Sequence, residues 1–368
     1  MTKSFILDAG KIQEFTKEHK LQPFRIKQLY QEIFKNQNIN FADMTTISKE
    51  LREDLDKQFS VTTLKVDQII EDRNTTKIWF ETHDGFMIEA VILYHRQDDK
   101  YIKNNSPKLN RITLCVSSQV GCPMWCIFCV TWKLGIKRNL GRDEIISQLL
   151  FANNHIKKKF GKQEDWTLYG VRNVVFMGMG EPLLNYDNTK KSIEVMLRQE
   201  AGFSLSKRHV TISTSGIIPW INQLIKDDIP VQLAISLHAP NQELRDKLMP
   251  VAKAYPLAEL MKTIDTYVKK FDNRIFYEYI MIKNITDKPE LARQLVTLLK
   301  HRLAHVNLIP YNNNPAIELK ESDEATMQAF KKILEEGGIT VTIRDSLGRK
   351  MKWACGQLGY EKLTQQGK

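Results

Sequence analysis

The chain has 368 residues, 42% of them hydrophobic and 26% charged, with a formal net charge of +11. That length and balance suit one large globular catalytic domain with a smaller accessory one, and exclude a disordered or fibrous protein. The positive excess favours an acidic partner such as nucleic acid, no apolar run approaches the ~20 residues that span a bilayer, and the opening MTKSFILDAGKIQEF turns polar too early for a signal peptide, so a cytoplasmic protein with no membrane contact is expected.

Residues 1–60 read as a helical unit: KIQEF at 11–15, FRIKQLYQEIF at 24–34 and the stretch from Ser48 to Phe59 carry apolar residues at helical spacing. From 61 to 109 the pattern alternates, with Asp84-Gly85 marking a hairpin turn and a polar loop over 95–108. From 110 to 345 short apolar strands alternate with helical segments. The strands fall at 112–116, 173–177, 209–213, 231–237, 275–280 and 305–309. The helices fall near 142–160, 189–198, 219–226, 257–271, 289–303 and 324–335. Six β–α units in series imply a parallel sheet with right-handed crossovers, too few for a full eight-fold barrel. The expected fold class is α/β, a partial (β/α)6 barrel with an N-terminal helical accessory unit, a β extension, and a C-terminal segment over 346–368. Sites in such folds gather at the C-terminal strand ends.

Of five cysteines, three crowd into GCPMWCIFC at 121–129, directly after the first parallel strand. Cys122, Cys126 and Cys129 stand at C-x3-C-x2-C spacing. Iron–sulfur cubanes are usually held by four thiolates, so three local ligands leave one iron open to chelate the methionine end of S-adenosylmethionine (SAM). A zinc site completed by a distant histidine is the alternative, but zinc sites usually show two separated C-x2-C halves. Further strand-end motifs follow: Gly178-Met179-Gly180-Glu181-Pro182, then Ser213-Thr214-Ser215-Gly216, then Ser236-Leu237-His238. Glycines there permit close backbone approach, Glu181 can receive an ammonium group, and the hydroxyls can bond a ribose or carboxylate. Two cysteines remain. Cys115 lies in the first strand, and Cys355 sits among small residues after the basic stretch from Arg349 to Lys352, a setting that favours a thiolate. Each could equally be a small buried hydrophobe.

TLCVSSQVGC (113–122), GIKRNL (135–140), GMGEPLLN (178–185), SKRHVTISTSG (206–216), SLHAP (236–240), NLIPYN (307–312) and ACGQL (354–358) together resemble the RlmN/Cfr family of radical SAM RNA methyltransferases, along essentially the whole chain. The resemblance implies a 4Fe–4S cluster on Cys122, Cys126 and Cys129, and SAM contacts from Gly180, Glu181, Ser213, Ser236, Leu237, His238 and Asn312. It implies an RNA-recognition role for residues 1–60. Two SAM molecules serve each turnover: one methylates Cys355, and the other yields the radical that activates the S-methyl group. The residue matching Glu89 then removes a proton, and Cys115 releases the product, leaving a Cys115–Cys355 disulfide to be reduced. Adenine ring carbons are poor nucleophiles, which is why cofactor radical chemistry is used.

The resemblance further implies 23S rRNA as substrate with tRNA as a second candidate, a flavodoxin- or ferredoxin-type electron donor, and a monomer. GEPLLN and IPYN match the branch that methylates adenine C2, whereas GKIQEF and DKLMP match the C8-methylating, antibiotic-resistance branch; the strand-end motifs lie nearer the site and favour 2-methyladenosine. Residues 131–162 hold eight Lys/Arg against Asp143 and Glu144, placing a basic run where RNA phosphates are expected. The chain departs from the family at Trp125, Trp132 and Trp353, and lacks an Asp-x-Asp pattern before Cys355. Those tryptophans read first as packing residues, with stacking platforms for RNA bases as the alternative. A small-molecule radical SAM enzyme and a non-catalytic iron–sulfur RNA-binding protein are the rival classes.

Overall fold

β-Branched and aromatic runs form the strands, and amphipathic stretches the helices, of one mixed sheet. The computed structural model describes residues 3–96, 109–161, 169–314, 316–344 and 357–359. Strand β1 (Ser4–Phe5) pairs in parallel with β2 (Phe59–Ser60), clipping together the ends of a unit built from α1 (Ala9–Glu18), α2 (Pro23–Phe34) and α3 (Lys49–Gln58). The Asp8 carboxylate caps α1 by accepting from the N–H groups of Gly10 and Lys11 at 3.0 and 3.1 Å, and Pro23 opens α2.

Strands β3 (Lys65–Glu71), β4 (Thr75–Glu81) and β5 (Met87–Arg96) form an antiparallel meander, and Gly85 takes the expected β4–β5 turn at φ +80°. β5 runs antiparallel to β6 (Leu109–Cys115). After β6 come the short partners β7 (Gln119–Gly121) and β8 (Ile136–Asn139), an antiparallel pair. The main sheet continues in parallel through β9 (Asn173–Phe176), β10 (Val210–Thr214), β11 (Gln232–Ser236), β12 (Ile275–Met281), β13 (Ala304–Pro310) and β14 (Thr340–Ile343). The crossovers carry α4 (Arg142–Phe160), α5 (Tyr186–Leu197), α6 (Ile218–Lys226), α7 (Gln242–Leu248), α8 (Leu257–Phe271), α9 (Pro289–Leu299) and α10 (Glu324–Glu336).

The six expected parallel strands are all present, and β14 adds a seventh at the edge. Tyr94, Thr113, Asn173, Thr211, Phe276, His305 and Thr342, from strands across the sheet, line one shared hollow, so the sheet curves round a lumen. Its edge strands β14 and β3 do not pair with each other, and the barrel is partial. The segments 1–60, 61–109 and 110–345 share one contiguous core: Phe15 and Ile33 of the helical unit, Ile78 and Phe80 of the meander, and Ile212 and Tyr277 of the parallel sheet belong to it. Among the described residues, no helix is long and apolar enough to cross a membrane. Of the C-terminal segment only Gln357, Leu358 and Gly359 are described, and Cys355 and Trp353 lie outside the described residues.

Candidate active site

The β7–β8 pair brackets the cysteine loop. Gly121 closes it at φ +83°, and a Cβ there would stand 1.7 Å from the Gly135 carbonyl oxygen, so only glycine fits. Gly180, at φ +101° in the loop after β9, lies so close to Gln119 that an added Cβ would stand 2.6 Å from the Gln119 Cβ, and the Gln119 side-chain Oε1 accepts from the Glu181 N–H at 2.8 Å. The Ser117 hydroxyl donates to the Glu89 carbonyl at 2.6 Å and accepts from the Met179 N–H at 2.9 Å, tying the meander to the strand-end loops.

Cys122, Cys126, Cys129, Gly180, Glu181, Ser213, Ser236 and His238 line one cavity at the C-terminal ends of the strands, as their sequence positions led us to expect. Leu237 and Asn312 are buried and are not among its lining residues. Both backbone groups of Leu237 are engaged, its N–H with Glu278 O at 3.1 Å and its carbonyl with the Ala239 N–H at 2.8 Å, so Leu237 fixes the positions of its neighbours.

Glu181 is buried, with Oε2 accepting from the Ser215 N–H at 2.8 Å and hydroxyl at 2.9 Å, and Oε1 from the Leu183 N–H at 3.1 Å. Burial raises its pKa above the ordinary carboxylate value, partly opposed by those hydrogen bonds. A bound ammonium group would offset that cost. His238 sits at φ +58° with its ring edge-on to Phe128, centroids 4.7 Å apart. Its Nδ1 accepts from the Ile280 N–H at 3.2 Å, which places the proton on Nε2. Burial, assisted by the charge of Arg245, pushes its pKa down to about 3, so the ring is neutral.

Burial raises the pKa of all three loop thiols, that of Cys122 up to about 12, and the charges of the neighbouring cysteines add to the shift for Cys122 and Cys126. Coordination to iron reverses this, since a metal-bound thiol is deprotonated outright. Among the described residues, no group of three or more His, Cys, Asp or Glu is arranged to hold a single metal ion. The three thiols line one cavity, and a multi-iron cluster there would be met by one sulfur at each of three irons. A second observation supports the fit. Arg245, fully buried on α7, donates from Nη2 to Ser215 O at 2.6 Å, while its Nε and Nη1 find no partner among the described residues. Its charge faces Cys126, and burial lowers its pKa to about 10. A buried guanidinium with unmade hydrogen bonds marks a place for an anionic group.

The other catalytic candidates lie on adjacent strands. Cys115 ends β6, paired with Val91 of β5, and Glu89 is two residues away on that strand. Glu89 is fully buried, 2.9 Å from the ammonium of Lys77. Its Oε1 accepts from the Gly359 N–H at 2.6 Å, and the Thr131 hydroxyl donates to Leu358 O at 2.9 Å. Sequence reasoning missed Arg245 and Lys77: the first sits in a seven-residue helix with no motif around it, the second in a strand that reads as ordinary meander.

The basic run does not lie wholly beside this site. Helix α4 has 19 residues, which at ~1.5 Å per residue puts its two ends about 28 Å apart. Lys157, Lys158 and Lys159 therefore sit far from the loop; Lys157 donates to Asn36 O at 2.8 Å and Lys159 pairs with Glu71 at 3.1 Å. Arg138 is engaged by Asp84 at 2.6 Å and Glu144 at 2.7 Å. Lys133 and Lys137 follow the loop directly, Arg142 at the start of α4 donates to Leu7 O at 3.3 Å, and Lys162 lies outside the described residues. The expectation of one continuous basic run beside the cluster is corrected to these few cations.

Residues 5–61 match the family model described as the ribosomal RNA large subunit methyltransferase N-terminal domain, and residues 116–295 match the radical SAM superfamily. A protein of Dictyoglomus turgidum named "Probable dual-specificity RNA methyltransferase RlmN" is 44% identical over 94% of this chain and 92% of its own length. One of the same name from Geobacillus kaustophilus is 40% identical over 92% and 87%. The crystal structure of a radical SAM methyltransferase from Sphaerobacter thermophilus matches at a TM-score of 0.86 and 32% identity, covering 97% of this chain and 99% of that one. Both ends of the architecture, the helical unit and the cysteine-bearing barrel, are thus accounted for together: the chain belongs to the RlmN family of radical SAM RNA methyltransferases, enzymes that work with a 4Fe–4S cluster and SAM.

Proposed function

We propose that this chain methylates C2 of an adenine in 23S rRNA, and of an adenine in tRNA, by way of a methyl group carried on Cys355. Cys122, Cys126 and Cys129 hold the cluster, Glu181 receives the SAM ammonium group, and Ser213, Ser236 and neutral His238 supply hydrogen bonds around the ligand beside Gly180, while Leu237 and Asn312, buried outside that lining, act by positioning it. The bound cluster and SAM supply reductive cleavage and a radical able to act on an unreactive carbon, at the cost of two SAM molecules per turnover.

The chain's own residues do the rest. Cys355 takes the methyl group on sulfur and presents it to the base. Glu89, 2.9 Å from the Lys77 ammonium, takes the ring proton from the protein–RNA adduct, whose unpaired electron would return to the bound cluster. The Cys115 thiolate attacks the Cys355 sulfur, so an S–S bond forms as the S–C bond to the new methyl group breaks, and that carbon picks up a proton. The resulting disulfide is two electrons more oxidised than the thiols and is reduced before the next cycle. A low-potential donor of flavodoxin or ferredoxin type serving a monomer completes the reading.

The observation that carries this reading is the Gly359 N–H bond to Glu89. It docks the segment four residues beyond Cys355 onto the candidate base, on the strand next to Cys115. Cys355→Ala should abolish methyl transfer while iron content persists, and Cys115→Ala should accumulate RNA covalently bound to protein, seen as a nuclease-sensitive gel shift. Normal methylation by either variant contradicts the two-cysteine route.

A further inference from the structure

Six large hydrophobic side chains are exposed among the described residues, and three of them, Trp125, Ile127 and Ile136, stand on the cysteine loop and its flanking strand. Trp125 is 59% exposed and stacks on Trp132, with ring centroids 5.0 Å apart and planes within 26°. Its backbone sits at φ +55°, a conformation glycine takes freely and a side chain with a Cβ takes at a cost. Burial does not offset that cost, because the outer face of the indole is in water. Folding stability is therefore a poor reason for tryptophan at this position.

The surroundings point to a ligand. Trp132 backs the Trp125 ring, and the Lys133 ammonium lies 5.8 Å from the Trp132 centroid. Lys133 is exposed, its ammonium donating to Ala316 O at 2.6 Å, and Lys137 is exposed on the flanking strand β8. A flat, exposed π-face with an ammonium close to its backing ring suits an unpaired nucleobase, since every base has a face to stack and a backbone charge to place. We propose that the outer face of Trp125, backed by Trp132, is a stacking platform for an unpaired nucleobase of the RNA that flanks the target adenine. The inference rests on the RNA-methylating function and deepens it by assigning a contact for the substrate outside the cofactor cavity.

The test uses full-length protein, a transcript of the 23S rRNA stem-loop region, and equilibrium binding at two salt concentrations. Trp125→Gly removes the ring and suits the observed φ, so the loop is retained; iron content and RNA-independent SAM cleavage report on the cluster. It should weaken RNA binding on the order of 10-fold, at both salt concentrations alike, because stacking releases no counterions. Trp125→Phe should recover most of that loss, and Trp132→Leu, outside the cysteine triplet, should lose affinity in the same direction. Wild-type affinity in Trp125→Gly and Trp132→Leu overturns the platform, as does a loss that vanishes at high salt. A change in self-association with RNA affinity intact would assign the face to a second copy of the chain and equally overturn it. Absence of RNA binding by the wild-type protein is distinguishable from these, and overturns the RNA reading itself.

Discussion

The Lys77–Glu89 pair gives the sharpest energetic consequence of this structure. Both side chains are out of water, at 1% and 0% exposure, with the ammonium 2.9 Å from the carboxylate and 4.4 Å from the Trp79 ring centroid. Removing one partner of such a pair takes the opposite charge away from a buried ion, which typically costs about 3–5 kcal/mol. Lys77→Met should therefore destabilise the protein by about that much, since the carboxylate keeps its Gly359 N–H bond but loses the ammonium. Glu89→Gln keeps an acceptor for Gly359 and removes the carboxylate charge facing the Lys77 ammonium, with a loss of similar size. The double variant removes both charges, and should be more stable than the sum of the two losses implies by roughly 1–3 kcal/mol. Urea unfolding of the four proteins at neutral pH, followed by far-ultraviolet circular dichroism, measures each term. Single variants within about 1 kcal/mol of wild type, or strictly additive losses, would refute a coupled buried ion pair. The same Glu89→Gln protein should still cleave SAM yet trap RNA as an adduct, separating its chemical role from its structural one.

Two further consequences concern the cofactor cavity. Burial raises the pKa of Glu181, so its ionised form costs stability: the contribution is favourable below the unfolded-state pKa of about 4.3 and is lost as pH rises through the higher folded value. SAM binding runs the opposite way, because the ammonium group needs the carboxylate. Affinity measured by calorimetry should fall on acidification at a higher pH than an ordinary glutamate would give, and Glu181→Gln should weaken binding roughly 10-fold while flattening that dependence. A pH dependence unchanged in Glu181→Gln would assign the ammonium to another group. Replacing Cys122, Cys126 and Cys129 together by Ala should eliminate the about four irons expected of anaerobically purified protein; iron retained by the triple variant would move the cluster elsewhere.

The parallel sheet was legible because each of its six strands is an apolar, β-branched run bounded by turn residues. The seventh, Thr340–Ile343, is four residues long with exposed threonines at alternate positions, and passes for a loop. The β7–β8 pair has only three and four residues and shows itself through the tight Gly121–Gly135 approach, a contact no local pattern encodes. Cys122, Cys126, Cys129 and Glu181 were legible because their chemistry requires a fixed spacing or a fixed strand end. Arg245 was not, since its importance comes from α7 folding back to bury it near Cys126. The basic run misled for a related reason: charge counted along the sequence ignores that one long helix carries its ends to opposite sides of the fold.

Nucleoside analysis of the modified RNA bears most directly on the central claim. 23S rRNA and tRNA from a strain lacking native adenine-C2 methylation, isolated with and without expression of this protein, are digested and compared by chromatography and mass spectrometry with 2-methyl- and 8-methyladenosine standards. The account predicts 2-methyladenosine in both RNAs, dependent on Cys115, Cys355 and the loop cysteines. A dominant 8-methyladenosine product, or no methylated adenine from an iron-loaded protein that cleaves SAM, would contradict it.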